Sequence, residues 1–228
     1  MVFSLFLVTI YPSGSSALFN INIKEYLNDR EIKWPNWNVP NLTNSDINKD
    51  LIYPEWFEGD WLVSSEDLTN SSEKKVIYKV NFLKNQFGEI VGNRSKNSES
   101  IGKAIFGDQL QKVKNDPLSF NNQIIYLSNN EYIESRVTQR NQILDDNLFF
   151  SDEFVIQTNH MRGISRINQV EIMSKFYKCD QAMKVNSNLH PDICGTQYTA
   201  TYGSKVGNPS IQAITTNKYN LIFKFIEN

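Results

Sequence analysis

The stretch that most limits how this chain can fold is Tyr53-Pro54-Glu55-Trp56-Phe57-Glu58-Gly59-Asp60-Trp61-Leu62-Val63-Ser64-Ser65. It reads as a turn that feeds a strand. Pro54 lacks the N–H that a helix interior needs, and Gly59 admits backbone angles that other residues resist. From Trp61 onward, bulky and β-branched residues favour an extended chain. Side chains alternate along a strand, so Trp61 and Val63 share one face while Asp60 and Leu62 take the other.

After this stretch the chain reads as a series of strands. Asp60 to Leu68 is the first, and in Lys75 to Phe82 the residues Val76, Tyr78, Val80 and Phe82 fall on one face. Gly88 turns the chain into a short strand near Glu89 to Arg94. Ser98 to Gly107 reads as a short helix, capped by Ser98 or Ser100 and ended by Gly107. Asn115-Asp116-Pro117 is a turn. Gln123 to Leu127 and Glu131 to Gln142 form a hairpin around Ser128-Asn129-Asn130, and Phe149 to Thr158 pairs with Gly163 to Tyr177 across Asn159 to Arg162. Gly195 to Tyr202 and Ala213 to Ile226 complete the set, the last with Tyr219, Leu221, Phe223 and Phe225 on one face. Consecutive antiparallel strands with one apolar face close into an up-and-down barrel. The expectation is a single all-β antiparallel barrel of eight or nine strands over residues 51–228, with one short helix.

The composition carries a core, with 40% hydrophobic and 12% aromatic residues. A net charge of -2, from 23 basic and 25 acidic residues, argues against a nucleic-acid partner, which would call for a basic stripe. Lys outnumbers Arg 17 to 6 and Asn is frequent, so a surface Lys or Asn carries little chemical information. No apolar run approaches the ~18 residues of a membrane-spanning helix.

Residues 1–17 have the pattern of a signal peptide: an apolar run from Val2 to Ile10, a break at Tyr11-Pro12-Ser13-Gly14, and small residues for cleavage after Ala17. No Lys or Arg precedes the run; the other reading is a buried N-terminal strand. Residues 18–50 are a polar lead, in which Ile23 to Leu27 can make a helical turn. Within it, Trp34 and Trp37 stand between prolines, either as a partner-binding surface or packed on the outside of the barrel.

Gly59-x-Trp61 at the mouth of a first strand resembles the signature of lipocalin-like (calycin) barrels, whose Trp closes one end of the barrel. That resemblance implies an Arg stacked on the Trp. Arg166, on the apolar strand face with Ile164, Val170, Ile172 and Phe176, is the residue available to Trp61, since the last strand carries Lys224. The alternative is a bulge that turns Arg166 outward. A second resemblance joins Trp34-Pro35-x-Trp37, Asp50 to Trp61, Asn93-Arg94 with Ile101-Gly102-Lys103-Ala104, Val113 to Pro117, and Cys194-Gly195-x-Gln197. In this order the blocks resemble an uncharacterised family of cyanobacteria and chloroplasts exported toward the thylakoid lumen. The likeness runs from Trp34 to the C-terminus and implies the lumen or periplasm, with no activity attached.

Cys179 and Cys194 close a short loop. In an exported protein a disulfide is the default, contributing about 3 kcal/mol through loop entropy. Unpaired thiols, or a metal held with His190 and Asp192, are the other readings, although the spacing fits no standard zinc site. There are only two histidines, His160 and His190, both in apparent turns, and no Gly-x-Ser-x-Gly or phosphate loop. Asp145-Asp146 and Asp152-Glu153 read as solvated turns rather than an acid–base pair. The chain therefore carries no cofactor motif. The leading expectation is a non-catalytic barrel holding a hydrophobic small molecule, pigment or lipid, against Trp61, Tyr78, Phe82, Arg166, Tyr198, Tyr202 and Phe223. The second is an interaction factor for a photosynthetic membrane complex, acting through Trp34 and Trp37. An enzyme is the third.

Overall fold

A computed structural model describes residues 15–40, 47–70, 72, 74–179, 192–203 and 211–227. Its strands are β1 (Gly59–Asp67), β2 (Val76–Lys84), β3 (Ile90–Gly92), β4 (Leu110–Asp116), β5 (Ser119–Leu127), β6 (Tyr132–Leu144), β7 (Leu148–Met161), β8 (Ile164–Lys178), β9 (Ile193–Gly203) and β10 (Thr215–Phe225). They form one ten-stranded sheet in the order β3-β2-β1-β10-β9-β8-β7-β6-β5-β4. All the pairings are antiparallel, and β1 pairs with β10. The pairing missing from a closed ring is β3 with β4. The fold is thus the expected up-and-down all-β architecture, as a curled sheet with one seam.

The strand count is ten rather than eight or nine, because β4 was not legible. Its sequence, Leu-Gln-Lys-Val-Lys-Asn-Asp, has little apolar alternation and two lysines, as edge strands often do. The seam is spanned by α2 (Arg94–Phe106), which packs on β2 and β4. Asn93 caps this helix by accepting from Lys96 N at 3.3 Å, in place of Ser98 or Ser100. Those serines serve the sheet instead: Ser100 Oγ accepts from Lys79 N at 3.0 Å, and Ser98 Oγ from Gln123 Nε2 at 2.7 Å. Asn97 accepts from Asn81 N at 2.7 Å and donates to Asn81 O at 3.0 Å. Beyond the three residues of β3, helix side chains thus satisfy the β2 edge as a neighbouring strand would.

Each sheet face has its own core. Inside the curl, Leu51, Phe57, Trp61, Val63, Val80, Phe82, Ile90, Phe149, Phe176, Ile193, Leu221 and Phe223 pack together. Trp61 is 0% exposed, donates its indole N–H to Phe57 O at 2.7 Å and meets the Phe225 ring at 5.2 Å. Val63 is buried with it while Leu62 faces out, as alternation requires. Gly59 sits at φ +120, where a Cβ would come within 2.5 Å of Phe225 Cε2, so glycine is required there on two counts.

The second core lies outside the curl, on β7, β8 and β9. It is covered by α1 (Ser15–Lys33), far longer than the single turn expected at Ile23 to Leu27, and by the Trp34 to Val39 segment. The apolar run Val2 to Ile10 lies outside the described residues, and the expected cleavage point after Ala17 falls in the first turn of α1.

Candidate functional site

Inside the curl, above the aromatic floor, lies a cavity of about 420 Å3. Pairing stacks its wall in transverse rows. Phe149 faces Phe176, which faces Gly195 and then Leu221, all inward. Gly195 is needed in this row, because a Cβ would come within 2.2 Å of Phe176 Cδ1. The next inward row is Gln142, Ser151, Ser174 and Gln197, each directly opposite the next across β6 to β9. Ser151 and Ser174 are buried, and Gln197 Nε2 donates to Ser174 Oγ at 3.0 Å. Tyr53, Phe57, Tyr78 and Phe82 complete the apolar side, and burial pushes the Tyr78 hydroxyl up to about 12. Asn97, Ser98 and Gln123 extend the polar side toward α2.

Two ion pairs flank this wall. Arg94 donates from Nε to Asp50 Oδ2 at 3.0 Å, with a second bond to Oδ1 and one to Phe120 O. Arg140 donates from Nε to Glu153 Oε1 at 2.7 Å and from Nη1 to Lys49 O. The two guanidiniums flank the Phe120 ring at 5.5 and 5.6 Å. Each positive charge has its carboxylate, so the wall is polar but electrically balanced.

On the opposite face of β7, β8 and β9, α1 inserts Arg30. Its guanidinium donates to both Glu171 oxygens, Nε to Oε1 at 2.9 Å, and lies 4.4 Å over the Trp37 ring. Arg30 Nη1 donates to Asn38 O at 3.0 Å, and the Tyr202 hydroxyl donates to Glu171. Asp152 is buried on this face; Oδ2 accepts from the Tyr26 hydroxyl at 3.3 Å and Oδ1 has no partner among the described residues. Glu171 therefore has the guanidinium, while Asp152 has only the Tyr26 hydroxyl as a hydrogen-bond partner among the described residues. Burial, then the charge of Glu171, pushes the Asp152 carboxyl well above the usual range. Burial also raises Glu171, against the pull of Arg30 and Tyr202.

The expected ligand residues divide between the two faces. Trp61, Tyr78, Phe82 and Phe223 belong to the interior. Tyr198 and Tyr202 face outward, beneath α1 and the Trp34 to Val39 segment, because they lie one position out of phase with Ile193, Gly195 and Gln197. Arg166 is exposed near the far end of the regular β7–β8 hairpin, opposite Asn159, with no bulge and far along the strand from Trp61's aromatic partners. Trp37 is buried and donates to Arg30 O at 2.7 Å, and Trp34 is half-buried, packed against Tyr198 at 5.8 Å. Asp152 and Glu153 are not a solvated turn but sit mid-strand on opposite faces of β7, whereas Asp145 and Asp146 are exposed in a turn.

The cysteines form a disulfide, with Sγ atoms 1.99 Å and Cα atoms 5.1 Å apart. At the neck of the loop the Asp192 carbonyl accepts from Cys179 N at 2.9 Å, and His190 lies outside the described residues. His160 stands in β7 rather than in a turn, hydrogen-bonded to Ser165 Oγ at 2.8 Å and Glu134 Oε2 at 3.1 Å. This Ser–His–Glu row lies on a hairpin where Ser165 is solvent-exposed and the imidazole is stacked on Tyr132 at 4.1 Å. Glu134, His160 and Ser165 thus form a polar ladder across β6, β7 and β8.

The sequence profile of a domain of unknown function, DUF6816, matches residues 47–224. None of the curated proteins and none of the solved structures matches the chain. The matched span contains the whole interior wall and the strand residues that receive α1, while α1 itself precedes it.

Proposed function

The chain belongs to the DUF6816 family, and on that premise we propose that it is a non-catalytic binding barrel, exported to the thylakoid lumen or periplasm of a phototroph, that holds a hydrophobic small molecule such as a pigment or lipid. The observation that carries this reading is the cavity of about 420 Å3 above an aromatic floor. Its volume falls in the range of small-molecule sites, roughly 300–1,000 Å3. The Cys179–Cys194 disulfide supports an oxidising compartment. Trp37 is buried and Trp34 partly buried against the outer core, which favours a packing role for them over a partner-binding one.

Titration with the neutral fluorophore N-phenyl-1-naphthylamine tests the reading. Saturable binding is expected, displaced by lipophiles extracted from the native host. Val80→Trp, which fills the cavity wall, should reduce affinity at least about tenfold. Absence of saturable binding by folded protein would overturn the proposal.

A further inference from the structure

Resting on that reading, we infer that the interior recognises the uncharged polar end of its ligand, an alcohol, ketone or ester carried on an apolar body, and rejects a carboxylate. The row Gln142, Ser151, Ser174 and Gln197 crosses four adjacent strands at one level, next to the Phe149–Phe176 floor. Buried hydroxyls and amides are costly unless hydrogen-bonded. The Gln142 amide oxygen is used, accepting from Ile52 N at 3.0 Å, and the Gln197 amide nitrogen donates to Ser174. Ser hydroxyls both donate and accept, and an amide carbonyl accepts twice, so the row retains capacity of both signs. An alcohol or a carbonyl compound uses that capacity without bringing charge.

A carboxylate finds no complement. Arg94 and Arg140 are the cations beside the cavity, and each is held by its own acid, Asp50 and Glu153, and by a backbone carbonyl. An anionic end group would have to displace one of these acids or lose its hydration unmatched, which is far more costly than burying a hydroxyl. An ammonium end group meets the same obstacle, since both acids are engaged.

Retinol and retinoic acid share one skeleton and differ at the end group, which makes them suitable probes at pH 8. Retinol should bind at least about tenfold more tightly than retinoate. Ser174→Ala/Gln197→Leu replaces a bonded pair by apolar groups, an exchange that folds tolerate. That variant should lose roughly three- to tenfold in retinol affinity, the worth of one hydrogen bond, while its affinity for N-phenyl-1-naphthylamine and its melting temperature stay near the parent's. Ser151→Ala provides a second, milder removal from the same row. Retinoate binding as tightly as retinol would overturn the inference and leave a binding barrel standing, as would retinol affinity unchanged in both variants. If the neutral fluorophore itself fails to bind, the binding barrel falls and the inference with it.

Discussion

Replacing Arg30 by Leu tests whether α1 is part of the fold or merely rests on it. Arg30 is 7% exposed, and Glu171 beneath it is 0% exposed. Leucine restores much of the aliphatic volume, so the main loss is charge compensation for Glu171. Breaking a buried pair from one side costs about 3–5 kcal/mol because the partner remains as a buried charge. The cation–π contact with Trp37, worth about 0.5–2 kcal/mol, disappears as well, although leucine packing on the ring offsets part of it. Against a typical reserve of about 5–15 kcal/mol, this is a severe lesion. Adding Glu171→Leu should recover most of the loss, since an apolar replacement of both partners is often neutral. Urea unfolding at pH 7, fitted with the m-value free, measures both variants, and hydrogen exchange of α1 amides reports whether the helix leaves first. Lowering the pH to 5 should shrink the single variant's deficit as Glu171, already raised by burial, takes up a proton. A single variant within about 1 kcal/mol of the parent would refute the reasoning, since surface pairs behave that way. So would a double variant no better than the single.

Three further outcomes follow from the same contacts. Trp61→Ala should cost about 3–5 kcal/mol, seen as an early melt, because it empties a fully buried site in the inner core; a melt like the parent's would remove Trp61 from the core. Trp37→Ala should cost a similar amount rather than spare stability, since the indole is buried and bonded to Arg30 O; the same melting scan decides. Asp152 holds its proton more tightly folded than unfolded, so its contribution is fully present below the unfolded carboxyl value of about 3.9 and is lost as pH rises through the folded value. Asp152→Asn, neutral at every pH, should therefore decline less than the parent in melting temperature between pH 5 and 9; parallel curves would contradict that assignment.

The strand series and its faces were legible because they rest on period-two alternation. Val76, Tyr78, Val80 and Phe82 face inward, as do Tyr219, Leu221, Phe223 and Phe225. The pairing of the two cysteines followed from spacing and compartment. The polar wall was not legible, because nothing local marks Ser151, Ser174 or Gln197 as neighbours; they meet through the register of two strand pairs. Arg166 looked inward for the opposite reason: alternation gives a side of the strand but not how far the hairpin outruns the barrel. The outer core left a trace that could have been followed. Phe149-Phe150 and Phe154-Val155 put bulky apolar groups on both faces of β7, the mark of a strand covered on both sides.

That two-sided burial links the N-terminal helix to the cavity. Along β7 the order is Phe149 in, Phe150 out, Ser151 in, Asp152 out, Glu153 in, Phe154 out. Along β8, Glu171 and Met173 point to α1 while Ile172 and Ser174 point to the cavity. Ser151 of the inner polar row is thus directly followed by Asp152 of the outer cluster, and Ser174 lies three residues beyond Glu171 on the same strand. A strand cannot shift register on one face without moving the other. Docking of Arg30 and Tyr26 therefore holds Ser151 and Ser174 at the level where they line up with Gln197. The outer cluster and the inner row are therefore carried by the same segments of β7 and β8, so a change in the seating of α1 is expected to reach the inner row through them.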